Sequence, residues 1–479
     1  MANILAIAGG SKFFGSMNLL LLGVVAYVVA QLALGLLVSA RIRSEQDYLL
    51  AGRSLGLPLA AFSVFATWFG AESCVSASAK VYEHGLSGAA VDPFAYGACL
   101  LVMGAFFAAP LWKRGFTTLA DLFRQRYSVG VERVAVLLMV PTSILWAAAQ
   151  IRAFGQVFDS TAGVGMQTGI CIGAAVAIAY TATGGLRADV ATDFFQGIFI
   201  ILGMVVLCML VVSDSGGLGE AFASVERERL CFFNGGGFWE QLETWAVPVC
   251  GSLAAQELVS RILAAKCPST AQRASLCGGA LYVLVGLMPV AIGLLSAGQM
   301  PGLREPEQLL SLLAQKHLST VMQVFFLGAL VSAILSTVDS TLLAAAALTS
   351  HNLIVPCFKE IGEKAKVNIA RGGVLVAGLF ALALALQSDS IHELVQSASS
   401  FGSAGIFIVT VMGLFTRIGG SRAAMSAMVS ATAVWCAGTW TMTIPLVYLA
   451  SLFGAVFAYF TVAFFEKSEP GSISETAQE

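Results

Sequence analysis

Charge is what this chain has least of. Asp, Glu, Lys and Arg make up 11% of its 479 residues, and 57% are hydrophobic. A soluble globular protein carries roughly 25% charged residues. So little charge over so long a chain leaves too few polar groups to cover a water-facing surface. That excludes a soluble fold and places the chain in a lipid bilayer. A net charge of −2 excludes the basic footprint of a nucleic-acid partner. The ten cysteines are scattered with no C-x-x-C pair, and read as small buried hydrophobes. His84, His317, His351 and His392 lie far apart, and there is no metal-ligand spacing, phosphate loop or nucleophile–base pattern. An enzyme is therefore not expected.

Long apolar runs recur throughout, and a spanning helix needs about 20 residues. The runs predict thirteen helices over 17–40, 57–82, 88–110, 131–158, 166–183, 186–212, 240–263, 270–298, 319–350, 368–388, 391–415, 421–440 and 444–465. The first ends in Arg41 and Arg43 without a small-residue cleavage site, so it reads as a retained helix rather than a signal peptide. With the N-terminus outside and the C-terminus in the cytoplasm, most of the 26 lysines and arginines fall on the inner face, Arg41, Arg53, Lys113, Arg187, Arg261 and Lys467 among them. The pattern predicts one transmembrane domain over 1–466 and a short polar cytoplasmic tail over 467–479. The longest loops, 213–239 and 299–318, fall on the outer face.

Two of the predicted helices are interrupted. In 57–82, the run from Ala66 to Ser73 carries Trp68, Gly70 and Glu72 at mid-membrane depth. In 240–263, Pro248 to Ser252 is followed by Gln256 and Glu257. Broken helices in corresponding positions of two halves point to a transporter binding site, because unwinding frees carbonyls that can coordinate a cation. Five helices begin at 57 and five at 240, the spacing of an inverted five-plus-five repeat over about 57–212 and 240–415. The alternative for each break is a packing kink. A third segment, Ala333 to Ser340, sets Ala333, Ser336, Thr337 and Ser340 on one helix face. Hydroxyls with bare carbonyls suit a desolvated sodium ion; the alternative is hydroxyls bonded to their own helix backbone.

At these residues the chain resembles the sodium:solute symporter family. The run Asp47 to Gly56 resembles the family's entry to its first core helix. Gly184 to Gln196 resembles its signature of paired glycines followed by Thr192-Asp193 and Gln196, and Ala333 to Ser340 resembles its sodium-binding helix. The resemblance implies an all-α, LeuT-like inverted-repeat core with an extra N-terminal helix and C-terminal helices. It implies a sodium site from the carbonyls of Ala66, Phe69 and Ala333 with the hydroxyls of Ser336 and Thr337. A second sodium, held in some members, maps onto Asp193, Asp339 and Ser340; alternatively, Asp193 only lines the inner exit.

Within the family the nearest likeness is to the choline transporter branch, through Ala66-Thr67-Trp68, Tyr96 and Trp146 to Ala149. Aromatic walls suit a quaternary ammonium. The chain departs from that branch at Ala255, where the branch has Trp, at Glu72, where it has Gly, and at Arg152, where it has Ser. Glu72 and Arg152 read either as a gate pair, as a clasp for the two ends of a zwitterion, or as separate water-facing charges. The expected solute site comprises Trp68, Glu72, Tyr96, Trp146, Arg152 and Gln256. The expected function is sodium-coupled symport of a small organic solute, a quaternary amine, amino acid or other zwitterion, across the cell membrane. Proton coupling through Glu72 or Asp339, and a membrane sensor built on a transporter body, are the alternatives. Oligomeric state is not legible.

Overall fold

The computed structural model describes residues 42–466, apart from 224, 234, 235, 389 and 443, together with isolated positions between 26 and 37. The predicted helix over 17–40 and the tail 467–479 lie outside the described residues. What is described is helical, in chain order: α1 (Glu45–Leu50), α2 (Leu57–Trp68), α3 (Glu72–Lys113), α4 (Ala120–Arg126), α5 (Val129–Ala162) and α6 (Met166–Asp214). There follow α7 (238–251), α8 (Gln256–Ala264), α9 (Pro268–Gln299), α10 (Leu309–His317) and α11 (Thr320–Cys357). The last four are α12 (Glu363–Gln387), α13 (Ile391–Phe415), α14 (Ser421–Trp440) and α15 (Val447–Phe465).

Among the described residues, eight helices are long and apolar enough to cross a membrane: α3, α5, α6, α9, α11, α12, α13 and α15. Most match a predicted span closely. Two differ because a turn does not interrupt the helical path. The predicted 166–183 and 186–212 form one 49-residue path in α6, broken in conformation at Gly185 (φ 53°, ψ −167°). A straight helix of that length would run about 74 Å, more than twice a bilayer's hydrocarbon core, so the chain must turn there. A Cβ on Gly185 would lie 2.5 Å from the Tyr48 ring and 2.7 Å from the Tyr48 carbonyl oxygen, so glycine alone fits the turn. Tyr48 in turn donates its hydroxyl to the carbonyl of Thr181 at 3.0 Å, fastening α1 over the break. Likewise 57–82 and 88–110 meet in α3, which bends at Gly85 (φ 70°). There the loop residue Arg229 donates to the Val81 carbonyl at 3.0 Å, satisfying a helix-end acceptor.

Position in the bundle follows from apolarity around each helix. Between Phe326 and Leu348 helix α11 is apolar or hydroxylated except at Asp339, and every residue there is buried. It is the central post, packed by α2, α5, α6, α8 and α12. Its end is tied to α1 and α4: His351 lies 3.1 Å from Glu45 and 3.5 Å from Asp121, and Asn352 donates to Asp121 and Glu132 at 2.9 and 2.8 Å. Helices α6, α12 and α15 carry exposed Leu202, Met209, Phe380, Phe457 and Phe464 outward, a surface that suits lipid rather than water.

The two broken helices are placed symmetrically. Leu55, before the first, pairs with the segment after the second: Leu55 donates to Ala264 at 3.1 Å and Lys266 donates back to Leu55 at 3.0 Å. In each, the half remote from this pairing contains a π-type turn, Glu72–Ser76 in the first and Val247–Gly251 in the second. The second break itself falls at 252–255, between α7 and α8, at the end of the Pro248 to Ser252 run and just before Gln256 and Glu257. Pro248 sits in the wide turn, where its missing N–H is tolerated.

The turn at Gly185 gives a direct test. Gly185→Ala should lower stability by about 1–3 kcal/mol from backbone strain alone, with the Tyr48 clash in addition. Gly372→Ala, in open space on α12, should be neutral or stabilising by up to about 1 kcal/mol. Melting temperatures of the purified proteins in detergent would show this, and equal melting of the two variants would refute it.

Candidate functional site

The site begins where α2 stops. Phe69 leaves the helix with φ −87° and ψ 68°, and helix resumes at Glu72. Among the described residues, no backbone N–H reaches the carbonyl of Ala66 or of Phe69. Unwinding inside a bilayer is tolerable only where such carbonyls find another partner. The break is pressed against α11: a Cβ on Gly70 would sit 2.6 Å from Thr337 Oγ1 and 2.8 Å from both Gln150 Oε1 and Glu72 Oε2. Glycine is what lets the unwound backbone touch the hydroxyl face.

On that face Thr337 Oγ1 lies 3.3 Å from the Ala333 carbonyl, a weak contact with its own helix. Ser336 instead donates to Asp193 Oδ1 at 2.5 Å, and Ser63 of α2 donates to Asp193 Oδ2 at 2.6 Å. A hydroxyl whose proton is held by a carboxylate keeps its lone pairs for a cation. The residues expected to form the first sodium site are thus on facing elements, α2 and α11, with Asp193 of α6 behind them.

The three residues expected to hold a second sodium fall in one buried network but point to different partners. Asp193 joins Ser336, as above. Asp339 Oδ1 accepts from Thr181 at 2.7 Å while its Oδ2 is buried without a partner. Ser340 donates to the Ser336 carbonyl at 2.7 Å and accepts from Arg261. Among the described residues, no group of three His, Cys, Asp or Glu side chains is spaced to hold a metal ion. A sodium shell of carbonyls and hydroxyls is a different donor set from that one.

Arg261 corrects the charge count along the chain. Instead of marking the inner face, its side chain is 1% exposed and ion-paired with Asp189, with Asp193 3.9 Å away. Sequence gave a hint, since Asp189 and Asp193 are four apart on α6 and share a face. Burying a guanidinium inside the bilayer is costly unless it is paired, and the pair resolves that cost.

Beside the break, Trp68, Tyr96 and Trp146 pack on one another with ring centroids 5.6–5.9 Å apart. Tyr96 shares a 2.9 Å hydrogen bond with Ser399. A narrow cavity lies next to this cluster, between α5, the second break and α13. Trp146 and Gln256 line it; Trp68 and Tyr96 stand behind. The Gln256 amide also has fixed duties, accepting from the Leu119 N–H at 2.8 Å and donating to Ser260 at 2.9 Å.

Glu72 and Arg152 have different neighbours. Glu72 Oε2 accepts from Gln150 at 2.5 Å, and the same amide accepts from the Ala71 N–H at 2.8 Å, tying Glu72 to the break. Close by, Asp92 accepts from Ser73 and Tyr282, each at 2.9 Å. Arg152, half-buried on α5, faces Glu307 in the segment Pro306–Gln308. Burial raises the Glu307 carboxyl above the usual range, and Arg152 counters this in part. Gln150, Ser63, Asp92 and Arg261 were not singled out from sequence, because each acts through a partner distant along the chain.

This chain is similar to proteins of one kind. It is 26% identical over 411 residues to the high-affinity choline transporter 1 of Drosophila melanogaster, covering 82% of this chain and 66% of that protein. The human high affinity choline transporter 1 is likewise 26% identical, over 82% of this chain and 70% of that one. The chain therefore spans about two thirds of the length of these relatives. The sodium/proline symporter of Staphylococcus aureus is 29% identical over 444 residues, 85% of this chain and 83% of that one. Among solved structures, a Na+-coupled sialic acid symporter in a substrate-bound outward-open state superposes with a TM-score of 0.84 at 18% identity, over 94% of this chain and 98% of the other. A nucleobase-cation-symport-1 family transporter superposes at 0.60 with 15% identity, over 87% of this chain and 92% of the other. These likenesses show the LeuT-like fold. The family model for sodium:solute symporters matches residues 48–430, most of the length, and the chain belongs to the sodium:solute symporter family.

Proposed function

We propose that the chain imports a small organic solute across the cell membrane by alternating access, driven by sodium carried between the α2 break and α11. As a family member it is a transporter and not an enzyme. The observation that carries the sodium reading is the pair of unbonded carbonyls, Ala66 and Phe69, on a break whose Gly70 meets Thr337, with Ser336 beside it on Asp193. With the Ala333 carbonyl these groups make a shell of mostly neutral oxygens, the kind a desolvated sodium ion accepts. Asp193, Asp339 and Ser340 are a proposed second sodium position. Its support is proximity: Asp189, Asp193 and Asp339 lie together around Arg261, and Asp339 Oδ2 is buried without a partner.

The proposed solute site is the aromatic cluster and the adjoining cavity: Trp68, Tyr96, Trp146 and Gln256, with Glu72 beside the break and Arg152 toward the Glu307 segment. The named solutes of the relatives, choline and proline, both contain a charged nitrogen, which aromatic faces attract. Sodium and solute tighten each other's binding by the same factor because both order the same break. Alternating access is then rocking of the broken-helix repeats about the fixed site. The proposed orientation, N-terminus outside and C-terminus in the cytoplasm, rests on the distribution of Lys and Arg.

Ser336→Ala and Thr337→Ala test the sodium site. Each should raise the sodium concentration for half-maximal uptake roughly tenfold, the equivalent of losing about 1.4 kcal/mol from one charge-assisted oxygen contact. Thr337→Ser should largely retain wild-type affinity. Melting temperatures in potassium should be little changed, separating ion binding from folding. Wild-type sodium half-saturation in both alanine variants would refute the assignment.

A further inference from the structure

The cavity beside Trp146 is lined by an acidic residue that neither the sodium site nor the aromatic cluster uses. Glu257 is the second residue of α8, directly after the break at 252–255, and is only 5% exposed. It lines the cavity with Thr142, Trp146, Ser252, Ser399 and Phe401. No basic side chain lines the cavity among the described residues. Arg261, one turn along α8, is engaged with Asp189 and Ser340. Glu257 has the Arg261 charge one turn along and a backbone N–H near it, and its side-chain hydrogen-bond partner is Ser143, whose hydroxyl lies 3.4 Å away, at the long limit of a hydrogen bond. A carboxylate accepts at about four lone-pair sites, so this one retains most of its capacity.

We infer that the solute is a protonated amine that keeps N–H donors, and that Glu257 selects it over quaternary and zwitterionic compounds. The inference rests on the symporter reading above and narrows it. A carboxylate and an ammonium are each costly to bury alone, and pairing relieves both costs. The Thr142, Ser252 and Ser399 hydroxyls can accept the remaining N–H bonds. A quaternary nitrogen has no N–H to give them and depends on ring faces around it. Here Trp68 and Tyr96 are packed against Trp146, which alone of the three lines the cavity, and Ala255 at the break presents a methyl group. A zwitterion would bring its own carboxylate into a space lined by Glu257 and by no basic side chain among the described residues. A purely structural role is also open to an acid in the first turn of a helix, through the helix dipole. Such a role would affect stability and leave solute preference untouched.

The test uses the full chain in proteoliposomes under an inward sodium gradient. The probes are labelled ethanolamine, N-methylethanolamine, dimethylethanolamine and choline, which remove N–H donors one at a time, with phenethylamine, putrescine and proline alongside. Sodium-dependent accumulation of at least one primary amine is expected, with affinity falling at least tenfold across the methylation series from ethanolamine to choline. Glu257→Gln should weaken the preferred amine at least tenfold and flatten that series, while the sodium-induced rise in melting temperature without solute persists. Glu257→Asp, which keeps the charge, should preserve the order of preference, so that a folding defect in the first variant would not mask the result. Choline or proline carried as well as any amine would overturn the inference and leave sodium symport intact. So would the absence of amine accumulation in a protein that still responds to sodium, or a Glu257→Gln variant altered only in stability. Loss of any response to sodium would instead defeat the symporter reading, and this inference with it.

Discussion

The contact between the unwound backbone at Gly70 and the hydroxyl face of α11 is what the rest of this structure is arranged to support. A methyl group at residue 70 would collide with Thr337, Gln150 and Glu72 together. The helix must open there, and opening it inside a bilayer strands two carbonyls that lipid cannot satisfy. Everything nearby answers that problem. Gln150 takes the Ala71 N–H and holds Glu72, Ser63 and Ser336 grip Asp193 from the two sides, and Ser73 joins Asp92 and Tyr282. What is left over, the carbonyls of Ala66 and Phe69 and the outward lone pairs of two hydroxyls, has the composition of a sodium shell.

A buried acidic cluster lies beside these groups. Asp189, Asp193 and Asp339 converge on the centre of the bundle and Arg261 compensates part of their charge. Where these acids are ionised, a surplus of buried anions is costly unless a cation completes it. The clamp at the end of α11, where His351 and Asn352 meet Glu45, Asp121 and Glu132, fixes the same post at its far end. The central helix is thus held both at the level of the α2 break and at its far end. A movement of the broken helices past it is therefore a change of discrete contacts rather than a continuous flexing.

Much of this was legible in the sequence, and the limits have physical causes. Long apolar runs encode spans, so α5, α9, α11, α12, α13 and α15 fall where hydropathy puts them. Gly70 beside Glu72 in an apolar run betrays a break, and hydroxyls at 336, 337 and 340 share a face by helical spacing alone. The same spacing could not say which hydroxyls bond their own backbone. Ser340 does, whereas Ser336 reaches across to another helix. The second break falls at the end of the Pro248 to Ser252 run, because a wide turn absorbs the missing N–H of Pro248 a few residues earlier. Arg261 read as an inner-face charge because a sequence does not show which Asp lies across the bundle from it. Glu72 and Arg152 invited pairing as the two charged residues among the three departures from the choline transporter branch, yet Gln150, two residues from Arg152, is what meets Glu72.

The central claim is that sodium orders the α2 break against α11. Amide hydrogen exchange of the purified full chain, compared in sodium and in potassium at equal ionic strength, tests it most directly. The account predicts that peptides covering Ala66 to Ser76 exchange more slowly in sodium, that peptides from α14 do not change, and that Thr337→Ala abolishes the difference. Identical exchange of the break in the two salts, or full protection retained in Thr337→Ala, would contradict it.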